Sequence, residues 1–243
     1  MVSYHITNNL SIQNKRFVGY MLTQAFLYGI LNQNQYEEAK IMGKIRARTD
    51  EELAARKQEI LSAARDLLMT MSYESITLAA IAEKTSISRP SMYHYYNKKE
   101  CVFVDLIIQE YREWGEQMGP LLERRCSQEE FCQTMTDILW GHETLLKLLS
   151  LHLTIWDPSY DDSILRHFAK ETLPFQNTLK EVVAFQFPDA GSKERNMFLI
   201  QFSIYCNSLY ETKYIAQNQM DAIREMRFLD FIPPVKEICY DGL

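Results

Sequence analysis

Apolar positions recur at three- and four-residue spacing along most of this chain, the period of helices with one buried face. Ile60, Leu61, Ala64, Leu67, Leu68 and Met71 mark one such face, and Thr49 with Glu52 three residues on fits a capping box at its start. Ser72 to Ser75 interrupts the pattern. Thr77 then opens a short helix carrying Leu78, Ile81 and Ala82, which ends at Lys84-Thr85-Ser86. Ser88 caps a third helix, with Arg89 and Pro90 in a first turn where proline is tolerated. Asn97 opens a long fourth helix through Trp114. Long helix, short helix, tight turn, short helix is the helix-turn-helix arrangement, whose last helix can lie in a DNA major groove.

The flanks carry the same period. Ser11 to Leu31 reads as a helix, followed by a polar break and a short second helix from Tyr36 to Ile41. Its apolar core, Phe17 to Leu31, is shorter than the ~20 residues of a membrane span, and no small-x-small cleavage pattern follows, so a helix of a soluble protein is expected. Towards the C-terminus, helices are predicted over Phe131–Leu153, Ser163–Phe187 (with Pro174 inside or breaking it) and Lys193–Met220, with a short tail at Val235–Tyr240. No strand alternation persists. The expected class is all-α, in three parts. Residues 1–43 form an N-terminal extension and 44–100 a helix-turn-helix domain running into a connecting helix over 98–119. Residues 120–243 form a larger helical domain.

Composition removes most catalytic readings. The 8 glycines are scattered, which excludes a glycine-rich phosphate loop. The 5 cysteines include no C-x-x-C, so free thiols in a reducing, cytoplasmic compartment are expected. Histidines 5, 94, 142, 152 and 167 lack the i, i+4 spacing of a helical metal site. No nucleophile–base pair stands out, so neither enzyme, cofactor nor metal is expected. Charge is uneven: residues 44–100 carry +2 and residues 101–243 carry −9 within a total of −6. A polyanion is repelled less by the middle segment than by the body.

The middle segment resembles the TetR/AcrR family of bacterial transcriptional regulators. Ile60-Leu61-Ser62-Ala63-Ala64, the Thr77–Glu83 run with Ile81-Ala82, Ile87-Ser88, Tyr93-His94-Tyr95-Tyr96 and Lys99-Glu100 carry the likeness, in order and at family spacing over about 50 residues. The resemblance implies a DNA-binding regulator, most often a repressor. Ser88, Arg89, Pro90 and Ser91 fall on the first turn of its recognition helix. Arg89 could read a guanine edge or hold a phosphate. By resemblance Tyr93 approaches a phosphate or a thymine methyl, and His94 a phosphate. Thr77 and Lys99 sit at helix N-termini suited to phosphate oxygens. Lys44, Arg46 and Arg48 form either a minor-groove arm or a solvated basic tail. Tyr95 and Tyr96 read as core. The chain departs from the family at Thr85-Ser86 (usually Ala-Gly), Pro90 (commonly Gly), Tyr96 (usually Phe) and Cys101-Val102.

In the family the C-terminal region binds a small effector and forms the dimer, which would read a palindromic operator with two recognition helices. Trp140, His142, His152, Trp156, Tyr160, Phe175 and Tyr210 suit a pocket for an apolar or aromatic ligand with polar handles. Phe168, Leu179, Val183, Phe187, Phe198, Phe202, Tyr205 and Leu209 are expected at the dimer interface. The family's tetracycline–magnesium ligation is not carried over, because no residues align with it. Ala25–Leu31 followed by Tyr36–Lys40 resembles helical-hairpin modules of the SHOCT type; alternatively, translation starts at Met42 and the extension is an artefact. A different reading altogether is a helical scaffold that binds protein partners without specific DNA contact, but such a module has no need of the Arg89, Tyr93 and Lys99 constellation.

Overall fold

The computed structural model describes residues 47–151 and 162–213, with a few positions beyond. The expected hairpin within 1–43, the basic residues Lys44 and Arg46, and most of the C-terminal tail lie outside the described residues. So do the pocket candidates His152, Trp156 and Tyr160. Arg48 is helical, and its side chain is likewise not described.

Every regular element described is a helix. In chain order they are α1 (Ala47–Thr70), α2 (Leu78–Glu83), α3 (Arg89–Met92), α4 (Lys99–Gln117), α5 (Gln128–Gly141), α6 (Glu143–Ser150), α7 (Asp162–Gln186) and α8 (Ser192–Lys213). Short 3-10 turns occupy Tyr73–Ser75 and Gly119–Leu122. The chain divides into two compact units. Among described residues, one holds 47–109 and 162–171, the other 110–151 and 172–213. The division therefore falls within α4 and α7.

The first unit follows the apolar pattern. Ile60, Leu61, Ala64, Leu67 and Leu68 of α1 are buried, as are Leu78, Ile81 and Ala82 of α2 and Met92 at the end of α3. Val102, Phe103, Leu106 and Ile107 of α4 complete this core, and Tyr73 meets Phe103 edge-on at 5.0 Å between ring centroids. Two expectations are corrected. Thr49 lies inside α1 rather than capping it, since the helix already includes Ala47. Met71 is 38% exposed, because α1 ends one residue earlier and its apolar face ends with it.

The second unit corrects a third. The single helix predicted over Phe131–Leu153 is two, α5 and α6, broken at His142. His142 has φ −97° and ψ 56°, outside the helical basin; its N–H still bonds the Leu139 carbonyl and its own carbonyl accepts from Leu146. Apolar spacing runs through such a break unchanged, so periodicity did not reveal it. Pro174, by contrast, sits inside α7 rather than breaking it, with Thr178 Oγ1 donating to its carbonyl at 3.1 Å. α8 packs along α6, and its Leu199, Phe202, Cys206 and Leu209 are buried.

Candidate nucleic-acid interface

The α2–turn–α3 segment is held by local chemistry. The Thr77 hydroxyl accepts from the Ala80 N–H at 3.1 Å, capping α2. The Ser88 hydroxyl accepts from the Ser91 N–H at 3.3 Å and meets the Ser91 hydroxyl at 2.8 Å, capping α3. Each cap satisfies a backbone donor that no helical carbonyl can reach. The turn between them is pinned to α1: the Ser86 hydroxyl donates to the Glu59 carboxylate at 3.1 Å, its N–H also bonds that carboxylate, and Arg56 reaches both residues. These bonds hold the Glu59 carboxyl below its usual range, chiefly through the Ser86 N–H.

Anchoring decides which side chains face out. Met92 and Tyr96 point into the core. The Tyr96 hydroxyl donates to Asp105 at 2.9 Å, and burial beside that carboxylate pushes the phenol well above its ordinary value. The Tyr96 hydroxyl thus has a half-buried partner. Asp105 also meets His167 Nε2 at 2.8 Å and the Lys57 ammonium at 3.8 Å. On the opposite side, Thr77, Ser88, Arg89, Pro90, Tyr93 and His94 are exposed and Ser91 is half-buried. Tyr93 shows 64% of its surface. The helix and its flanks thus carry an exposed guanidinium, phenol and imidazole, with an exposed Ser88 and a half-buried Ser91.

Two predicted contacts take on other roles. The Lys99 ammonium donates to the Tyr73 carbonyl at 2.8 Å and the Glu74 carbonyl at 3.3 Å, and lies 4.3 Å from the Tyr73 ring centre. It closes the 73–75 turn against α4, so only one of its three donors remains for a phosphate. Arg89 is exposed but pairs with Glu83 of α2. Spacing gave no hint of this pair, because residues six apart meet only once the turn has folded.

With this geometry in hand, the chain can be compared with known proteins. Residues 60–106 match the family described as "Bacterial regulatory proteins, tetR family". Over these residues the chain is similar to the DNA-binding domain of the TetR family. That is a family of transcriptional regulators rather than of enzymes. The HTH-type transcriptional repressor AcnR of Corynebacterium jeikeium (strain K411) is 35% identical over 68 residues, which is 28% of this chain. The match spans 36% of that repressor's length. A structure from Mesorhizobium loti MAFF303099, assigned to the TetR-family regulators, superposes with a TM-score of 0.53 at 14% identity. It covers 78% of this chain and 94% of the other. At that identity the likeness concerns the fold: all-α, with an N-terminal helix-turn-helix unit and a larger helical unit.

The second unit redistributes the remaining candidates. His142 and Phe175 are both buried and both contact Trp114, at ring-centroid distances of 6.5 and 4.9 Å. Tyr111 stacks on Phe175 at 4.6 Å and Phe202 lies 5.7 Å from Trp114. Trp140 and Tyr210 are half-buried, and the Lys147 ammonium lies 5.7 Å from the Tyr210 ring. Among the expected dimer residues, Phe168, Leu179, Val183, Phe202 and Leu209 are buried in the chain's own core, so they have almost no area left to give a partner. Phe187, Phe198 and Tyr205 are half-buried. Phe198 stacks on Phe202 at 5.9 Å, and Phe131 meets Phe187 edge-on at 5.0 Å. The exposed apolar groups of α8 are Met197 and Ile204, at 47% and 46%. Among the described residues, no helix is long and apolar enough to cross a membrane.

Proposed function

We propose that the chain is a cytoplasmic, sequence-specific DNA-binding regulator, acting as a homodimeric repressor released by a small effector. The observation that carries this is the accessible face of α3. Ser88, Arg89, Tyr93 and His94 face out while Met92 and Tyr96 fix the helix from behind. Arg89 and Tyr93 supply base-edge or phosphate contacts, and Thr77, Ser91 and His94 supply phosphate contacts. One four-residue helix reads few bases, so two copies on a palindrome are needed for specificity. The second copy is proposed to seat on the α8 face that carries Met197 and Ile204, which lie seven residues apart on one side of the helix. The effector is proposed to bind in the second unit near the Tyr111, Trp114 and Phe175 aromatics. A ligand releases DNA only by the free energy with which it favours the non-binding conformer.

The test is titration of the full chain against its own upstream intergenic duplex and a scrambled duplex at several salt concentrations, beside Arg89→Ala/Tyr93→Ala. We expect preference for the native duplex, reduced about 10- to 100-fold in the double variant, the size of one good base contact. Equal and steeply salt-dependent binding to both duplexes would reduce the interaction to phosphate attraction and overturn the assignment.

A further inference from the structure

The second unit gathers a set of groups that the DNA-binding reading does not use. Glu110 and Glu113 stand three apart on α4 and so share one face of that helix. His142, at the break between α5 and α6, reaches them from 32 positions away, and its Nδ1 lies 3.1 Å from a Glu110 oxygen. One ligand atom from each of the three lies within 4.8 Å of the other two. Glu110 is 3% exposed, His142 5%, and Glu113 half-buried. Apolar spacing marks neither glutamate, and His142 stood out only as a pocket candidate; the fold brings the three together.

The burial of Glu110 and His142 is a second observation. The other ring nitrogen of His142, Nε2, is buried and has no hydrogen-bond partner among the described residues. Nδ1 is the nitrogen that faces the carboxylates, and a buried carboxylate is retained where a proton or a cation offsets its charge. With the proton on Nε2, the Nδ1 lone pair can meet a cation beside the Glu110 oxygen. The backbone at His142 is bonded on both sides, through Leu139 and Leu146, so the ring is held in place before any ligand arrives.

We infer that Glu110, Glu113 and His142 form a site for a divalent transition-metal ion. Two carboxylates and one imidazole, with no thiolate, suit zinc, manganese or ferrous iron better than soft cations, and three protein ligands leave coordination positions for water or a small oxygen ligand. Ligand atoms around a metal at ~2.1 Å stand roughly 3.4 Å apart, so the group closes by side-chain movements of about an ångström. This inference is independent of the DNA-binding reading, since its readout is metal uptake.

The test strips the full-length chain with a chelator and titrates Zn²⁺, Mn²⁺ and Mg²⁺ by calorimetry, with X-ray absorption on the zinc-loaded protein. We expect saturation at one ion per chain, Zn²⁺ or Mn²⁺ preferred over Mg²⁺, and imidazole scattering in the absorption spectrum. Glu113→Gln, whose site is half-buried and whose shape is conserved, should weaken binding at least tenfold with an unchanged circular dichroism spectrum. His142→Asn should abolish the imidazole signal. If His142→Asn does not fold, the Glu113→Gln affinity and the wild-type absorption spectrum decide. No saturable binding by the wild type, or unchanged affinity in Glu113→Gln, would overturn the site.

Discussion

The two compact units hold their polar groups in opposite ways. In the first, the chemistry-bearing side chains of α2 and α3 come from one short run, Thr77 to His94, and face solvent. In the second, the polar groups are drawn inward from distant positions. Gln186 accepts from the Cys126 N–H at 3.0 Å, donates to the Arg124 carbonyl at 2.9 Å and also bonds the Leu121 carbonyl, across 60 or more residues. His142 reaches Glu110 across 32. Local assembly suits a surface that presents its side chains with little rearrangement. Non-local assembly ties loops to helices, and there each polar group is costly to lose because water cannot replace its partner.

The largest effect expected from this contrast lies at Gln186. Gln186→Leu removes the partner of a buried Leu121 carbonyl bond and of the part-buried Cys126 N–H and Arg124 carbonyl bonds. The expected cost is about 3 kcal/mol, which for a chain of this length lowers Tm by roughly 6–12 °C. Thermal melts by circular dichroism measure it. DNA affinity at low temperature should stay within about twofold of wild type. A loss of affinity without a loss of stability would break the comparison, because the buried network would then govern reading rather than folding.

A smaller stability effect is expected in the first unit. Tyr96→Phe restores the family's phenylalanine and removes the bond to Asp105, which keeps its His167 and Lys57 partners. The expected loss is about 1 kcal/mol by denaturant titration, since one neutral–charged bond goes and its acceptor stays satisfied. A loss several times larger would mean that Asp105 depends on the phenol to tolerate burial.

The same contrast explains what could be read in the chain beforehand. Capping, apolar spacing and turn chemistry act over three or four residues, so the α2–α3 segment, its Thr77 and Ser88 caps and its exposed Arg89, Tyr93 and His94 were legible. The all-α class was legible for the same reason. Contacts created by the tertiary fold were not. Lys99 looked like a phosphate ligand until Tyr73 and Glu74 took two of its donors. Phe202, Leu179 and Leu209 looked like interface residues because an apolar position alone does not say whether its neighbour is the same chain or another. The break at His142, and with it the whole Glu110–Glu113–His142 group, leaves no trace in periodicity.

The exposed Glu83–Arg89 pair sharpens the comparison from the other side. Glu83→Gln removes a negative charge beside the recognition helix and releases the Arg89 guanidinium. DNA affinity should rise about two- to fivefold, the scale of an exposed ion pair, and the native and scrambled duplexes should gain unequally if Arg89 reads a base. Equal gains on both duplexes would assign Arg89 to a phosphate. Stability should change little, because both side chains are more than half exposed.

The smallest effect belongs to the turn itself. Glu59 binds Ser86, the serine that stands where the family commonly has glycine, and its carboxyl is lowered chiefly by the Ser86 N–H, then by the Ser86 hydroxyl and Arg56. A carboxyl whose folded value lies below its unfolded one adds stability above the unfolded value and loses it as pH falls through the folded one. Wild type should therefore exceed Glu59→Gln in Tm by about 1–2 °C near pH 7, a small margin because the site is open to solvent. The two melting curves should converge as pH drops below about 4. A difference that persists unchanged to pH 3 would show that the contact works through shape and neutral hydrogen bonding, which an amide reproduces only in part. In that case the turn is held by how Ser86 fits against α1 and not by the charge that Glu59 carries.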